Sequence, residues 1–190
     1  MAFTFPMSAL NQYTNQPLHI RESLQPQTVD QQMWYYVTTV TVSDAVRESF
    51  LAQAKEWAEN LGLLRGSIQN GDGNVAGRYG ELVFQAIFGG DIADEYEYDI
   101  KYDDLTVEVK TKRRTVRAKP HYEASIPDFN PDQDADLYYF MSVRCGDVET
   151  PFRYVDLLGY IPTDKYHSKA TFHKEGERDL SNGFTFVSDS

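Results

Sequence analysis

Asp99, Glu108 and Lys110 are residue types that can do chemistry together. Carboxylate oxygens bind hard divalent cations, and a lysine two residues beyond a glutamate on an extended chain projects to the same side. The spacing predicts a β-hairpin that brings them close. Asp103-Asp104 serves as a two-residue turn and sets Tyr102 opposite Leu105, so that paired residue numbers sum to 207. In that register Tyr98, Ile100, Tyr102, Leu105, Val107 and Val109 line an apolar face. Glu97, Asp99, Lys101, Thr106, Glu108 and Lys110 share the other. Asp99 is then expected opposite Glu108, with Cβ atoms about 4.5 to 5.5 Å apart. Carboxylates that close repel unless a positive charge lies between them. The plain alternative is a half-solvated hairpin in which Lys110 pairs with Glu97.

Three further features favour the metal reading. Glu81, on a helix just before the hairpin, would add a third carboxylate if that helix packs beside the sheet. A basic tongue begins where the hairpin ends: Lys110, Lys112, Arg113, Arg114, Arg117 and Lys119 place six of the eighteen basic residues within ten positions. Lys112, Arg113 and Arg114 stand where a phosphate backbone would need them. Competing constellations are missing from the sequence. There is no phosphate-cradling Gly-Lys-Ser or Gly-Lys-Thr loop, His167 and His173 are wrongly spaced for a two-histidine zinc helix, and Cys145 has no histidine nearby.

Gly80-Glu81, Tyr98-Asp99-Ile100 and Val107-Glu108-Val109-Lys110-Thr111-Lys112 resemble, in that order, the motifs of the PD-(D/E)xK nuclease superfamily, which includes restriction enzymes, junction resolvases and phage exonucleases. The resemblance covers roughly residues 77 to 145. It implies a core of one helix, three strands, a crossover and a fourth strand, within a restriction-endonuclease-like mixed central sheet flanked by helices. It also implies an Mg2+ site, with Mn2+ as a substitute. In that site Asp99 and Glu108 are metal ligands, Glu81 is an auxiliary ligand, the Val109 carbonyl is an extra ligand and Lys110 is the catalytic lysine. Two departures stand out: Tyr98 occupies the place of the motif's proline, and Pro120, Pro127 and Pro131 interrupt the stretch where a crossover helix is implied.

The elements that must position these residues are readable from periodicity. Residues 1–30, rich in Gln, Asn and Pro, read as an extended arm, and Trp34 to Val42 as a strand. Ser43 is the expected N-cap of a helix whose stripe is Val46, Phe50, Ala54, Trp57 and Leu61, with Gly62 as its stop. Asn70-Gly71-Asp72-Gly73-Asn74 reads as a turn cluster before a second helix from about Gly77 to Phe88, which Gly89-Gly90 ends. Arg78, three positions before Glu81, suggests a simple helical ion pair. Expected strands are Tyr96 to Tyr102, Leu105 to Thr111, Tyr122 to Ile126, Leu137 to Arg144 and Arg153 to Ile161. A short helix within Thr163 to His173 and a strand near Phe184 to Val187 follow. In Leu137 to Arg144, Tyr138 and Tyr139 are expected to pack in the core rather than stack on bases.

Length and composition set the frame. The 190 residues, 41% hydrophobic and rich in Tyr and Phe, suit one mixed α/β (α+β) domain spanning 1–190, with a catalytic core at 77–145 and accessory strands and a short helix at 146–190. A single cysteine forms no internal disulfide, Met1 to Leu10 lacks the pattern of a signal peptide, and no stretch approaches the roughly 18 apolar residues of a membrane span. A cytoplasmic protein is expected. The net charge of −11 argues against coating nucleic acid through bulk electrostatics, while the basic tongue points to a localised anionic ligand, with DNA as the expected partner. Cutting both strands would favour a homodimer. Two alternatives stay open: a non-cleaving relative that only binds nucleic acid, and an acidic DNA mimic that blocks a DNA-binding enzyme.

Overall fold

In this computed structural model the described residues are 19–20, 38–61, 72–93, 97–102, 104–119, 122–127, 134–147, 149–174, 176–177 and 183–186. Most of the expected N-terminal arm, the start of the first expected strand, turn residue Asp103 and the centre of the Pro and Asp rich loop lie outside them. The elements are β1 (His19–Ile20), β2 (Thr38–Thr41), α1 (Asp44–Leu61), α2 (Asp72–Phe88), β3 (Asp91–Ile92), β4 (Ile100–Tyr102) and β5 (Leu105–Arg114). They continue with β6 (Ala124–Pro127), β7 (Leu137–Arg144), β8 (Tyr154–Pro162), α3 (Thr163–Lys169), β9 (Thr171–His173) and β10 (Gly183–Phe186). The fold is mixed α and β, as the composition indicated. Among the described residues, no helix is long and apolar enough to cross a membrane.

Both long helices form for reasons visible in their stripes. In α1, Ala54 is fully buried, while Val46 and Phe50 pack against the core from its edge. Ser43 caps α1 through its carbonyl, which accepts the Arg47 N–H, and its hydroxyl has no hydrogen-bond partner among the described residues. The second helix begins at Asp72, five residues before the expected start, so Asp72-Gly73-Asn74 is its first turn and not a loop. Burial of Ala76, Tyr79, Val83, Phe84 and Ile87 outweighs the poor helix propensity of Gly73 and Asn74. At the other end Gly89 and Gly90 take φ of 85° and 89°, a backbone that glycine adopts without strain.

The main sheet runs β1-β2-β8-β7-β5-β4-β3. β5 and β7 are parallel and every other pair is antiparallel. Parallel pairing requires a crossover. Among the described residues this crossover holds no helix; it contains β6, which pairs with β10 in a second sheet ordered β6-β10-β9. The pairing of β5 with β7 carries through to Arg114 opposite Arg144, which extends β5 three residues past the expected Thr111.

β7 lies at the centre and is buried on both sides. Tyr139, Met141 and Val143 face α1 and α2 in the larger core with Val83, Phe84, Val107 and Val109. Tyr138 and Phe140 face the opposite way, into a smaller core with Ala124, Ile126, Ile161 and Tyr166. Each fully buried aliphatic or aromatic side chain contributes about 1.5–3 kcal/mol. The two cores thus fix β7 from both faces, and β7 pairs along its whole length with β5, the strand that carries Glu108 and Lys110.

Candidate active site

The β4–β5 hairpin has the expected register: Tyr102 pairs with Leu105, Lys101 with Thr106 and Ile100 with Val107. Beyond Ile100 the ladder slips. The Asp99 N–H donates to the Val107 carbonyl at 3.1 Å, so Asp99 and Ile100 both face Val107 and Asp99 is not placed opposite Glu108. The slip redirects the side chain. Asp99 Oδ2 accepts the Val109 N–H at 2.8 Å, which docks its carboxylate on the backbone between Glu108 and Lys110.

Glu108 and Lys110 occupy alternate positions of β5 and share a face, as the strand period requires. Lys110 Nζ donates to Glu108 Oε1 at 2.7 Å, where the plain alternative had paired it with Glu97. Glu108 is only 5% exposed and Lys110 is half-buried. The parallel register sets Glu108 beside Tyr138 and Lys110 beside Phe140, and Lys110 Nζ lies 6.0 Å from the centre of the Tyr138 ring.

Helix α2 brings Glu81 to the same neighbourhood. Gly80 packs against Thr111 of β5 so closely that a side chain there would overlap it, and Glu81 follows directly, buried at 6% exposure. Arg78 donates to Glu81 Oε2 at 2.8 Å, the helical pair expected from their spacing, and its guanidinium lies 5.0 Å over the Trp57 ring of α1. The acids feel one another. Desolvation holds the Asp99 carboxyl well above the usual carboxylate range, and the charges of Glu108 and Glu81 push it further. The Lys110 ammonium and the Val109 N–H pull the other way without cancelling the effect.

This donor set suits a hard divalent cation in its chemistry: carboxylate oxygens in mutual electrostatic reach, with the charged form of Asp99 disfavoured by desolvation and by the neighbouring acids. The oxygens are engaged internally, Glu81 with Arg78, Glu108 with Lys110 and Asp99 with Val109. Among the described residues no group of three His, Cys, Asp or Glu side chains stands at metal-holding geometry.

The structure divides the basic tongue. Lys112 and Arg114 share the β5 face of Glu108 and Lys110, whereas the exposed Arg113 projects to the other side, because a strand alternates. Arg114 lies 4.6 Å over the Tyr122 ring, and desolvation lowers its pKa against the opposing influence of Tyr122 and Asp156. Beyond β5, the fully buried Asp156 accepts the Ala118 N–H at 2.8 Å and a two-pronged contact from Arg144, at 2.6 and 3.2 Å. Asp156 therefore ties the tongue to the sheet. Nothing local in the sequence links residues 118 and 156, so this contact carries no sequence signal.

No protein-family model matches this chain, and no curated protein matches it.

Proposed function

We propose that the chain is an Mg2+-dependent nuclease of the restriction-endonuclease-like, PD-(D/E)xK kind that hydrolyses DNA phosphodiester bonds. The observation that carries this reading is the docking of the Asp99 carboxylate on Val109 N–H, between Glu108 and Lys110, with Glu81 in electrostatic reach. The element order supports it: a helix with the auxiliary glutamate, the antiparallel run β3, β4 and β5, a crossover, and β7 parallel to β5.

In this mechanism Asp99 and Glu108 hold the ion, with Glu81 as auxiliary ligand and the Val109 carbonyl as an extra one. When bound, Mg2+ supplies Lewis-acid polarisation of the phosphate, a more acidic water and neutralisation of charge at the leaving oxygen. Lys110, released from Glu108, orients or deprotonates the attacking water. As an ammonium, with three donors and no lone pair, it can orient that water, whereas taking its proton requires the neutral amine. Lys112 contacts the flanking phosphate on the same sheet face, and Arg113 and Arg114 extend the basic surface.

A non-cleaving nucleic-acid-binding relative is the second reading. It is favoured by the internal pairing of Glu81 with Arg78 and Glu108 with Lys110, which satisfies these acids without an ion. Incubation with supercoiled, linear and single-stranded DNA, in Mg2+, in Mn2+ and in chelator, separates the two. Metal-dependent nicking supports the enzyme. Binding that persists in chelator, with no nicking in either metal, supports the second reading.

A further inference from the structure

The far end of β5 carries a charge that nothing around it neutralises. Arg114 and Arg144 stand side by side in the parallel register of β5 and β7, so both side chains leave the sheet on the face of Glu108, Lys110 and Lys112. The acid within their reach is Asp156, and it is fully engaged. Its two oxygens accept the Thr39 hydroxyl, the Ala118 N–H and both prongs of Arg144. The Asp156 charge is felt at Arg114, yet the Arg114 guanidinium makes no hydrogen bond or ion pair among the described residues. Two guanidiniums therefore share one carboxylate, and Arg144 takes it.

Arg114 is nonetheless held in one place. Its guanidinium lies 4.6 Å over the Tyr122 ring, its Nε is buried, and desolvation lowers its pKa. An arginine without an acid ordinarily stands in water; this one has given up part of its hydration with no hydrogen bond in return. The backbone beneath it is tied as well. The Cys145 N–H donates to the Arg114 carbonyl and the Phe152 N–H to the Arg144 carbonyl, each at 2.8 Å. Gly146 passes so near β5 that a Cβ there would stand 2.6 Å from the Thr115 carbonyl oxygen. Phe152 closes the loop with φ of 65°, a left-handed backbone that such residues rarely adopt. A planar fork without an acid, on an edge fixed at this many points, suits an oxyanion that arrives from outside.

We infer that the Arg114 guanidinium, beside Arg144, binds a backbone phosphate of the DNA at a second point, about 20 Å along β5 from Glu108 by the rise of six strand residues. On a B-form strand that is about six nucleotides from the bond to be cut. The inference rests on the nuclease reading, and it assigns Arg114 to grip on the substrate rather than to bond cleavage.

The test compares wild type, Arg114→Ala, Arg114→Met, Arg114→Lys and, as a control on an exposed part of α1, Lys55→Ala. Each is titrated with short labelled duplex DNA in Ca2+ over a range of salt concentrations, and is assayed for nicking in Mg2+. Loss of a hydrogen bond to a charged oxygen corresponds to about a 10-fold rise in Kd. That rise is expected for Arg114→Ala and Arg114→Met, with KM following it and kcat changing less. The slope of log Kd against log salt should fall by about one, the mark of a lost phosphate contact. Arg114→Lys keeps the charge and should keep the slope. On an end-labelled duplex, wild type should nick poorly within about six nucleotides of one strand end, where no phosphate reaches Arg114, and Arg114→Met should lose that contrast. If Arg114→Ala melts lower, Arg114→Met decides, because it keeps a long side chain over Tyr122. Nicking by wild type together with unchanged affinity and salt slope in Arg114→Met overturns this proposal and leaves the nuclease standing. Wild type that neither binds nor nicks DNA overturns both.

Discussion

Gly80 of α2 packs directly on Thr111 of β5: a methyl group at Gly80 would overlap the Thr111 hydroxyl and come within 2.9 Å of its Cβ. This close approach places Glu81, the next residue, against the strand that carries Glu108 and Lys110. Gly80→Ala should therefore force α2 away from β5 and cost about 1–3 kcal/mol, as overpacking does. A thermal melt reads the loss. Thr111→Ala in the same background should recover part of it, because the Cβ remains. An unshifted melt for Gly80→Ala would mean that the helix does not seat on this strand as described.

Lys110 has two jobs on this account, and they can be separated. It pairs with a nearly buried Glu108, so Lys110→Ala leaves a desolvated carboxylate with a lost partner and should cost about 1–3 kcal/mol. Nicking should drop by at least about 100-fold. The double variant Lys110→Ala/Glu108→Gln should regain stability without regaining nicking. Full nicking by folded Lys110→Ala would take the lysine out of the mechanism.

What could be read in advance was what depends on near neighbours. The sum of 207 follows from a two-residue turn and strict alternation, and Leu137 to Arg144 was readable because a strand buried on both faces is nearly continuous in apolar and aromatic residues, here Leu137 to Met141 and Val143. The slip at Asp99 was not readable, since it arises where β4 meets β3 and the carboxylate finds an amide further along β5. Arg114 counts as one more charge in the tongue until Tyr122 and Asp156 are seen around it. His167 lies 29 residues from Tyr138, and no spacing rule links a short helix to a phenol across the smaller core.

Asp156 should be the most sensitive polar residue away from the proposed active site. It is fully buried and receives Arg144, the Thr39 hydroxyl at 2.7 Å and the Ala118 N–H at 2.8 Å. Asp156→Ala strips three elements of a shared acceptor and leaves Arg144 without its acid, at a cost of about 3–5 kcal/mol. Hydrogen exchange should accelerate at Ala118 before it does in β7. Slow exchange at Ala118 in that variant would show that the tongue is held by something else.

Asp99 links the proposed function to stability through pH. Its folded-state pKa is raised above the unfolded value, chiefly by desolvation and then by Glu108 and Glu81. The sign is the reverse of an ordinary salt-bridged acid: the native state is favoured while Asp99 is protonated, and that advantage is lost as pH rises through the folded pKa. In chelator, the stability of wild type minus that of Asp99→Asn should therefore fall as pH climbs from the ordinary carboxylate range toward neutrality. The asparagine variant should melt higher at pH 7. Adding Mg2+ should raise the melting temperature of wild type more than that of the variant, because an ion that binds only the native state stabilises it by mass action. Removing one acid would then improve the fold and abolish nicking together, which is what a site strained by unneutralised charge requires. Parallel pH profiles for the two proteins in chelator would remove the basis for that strain.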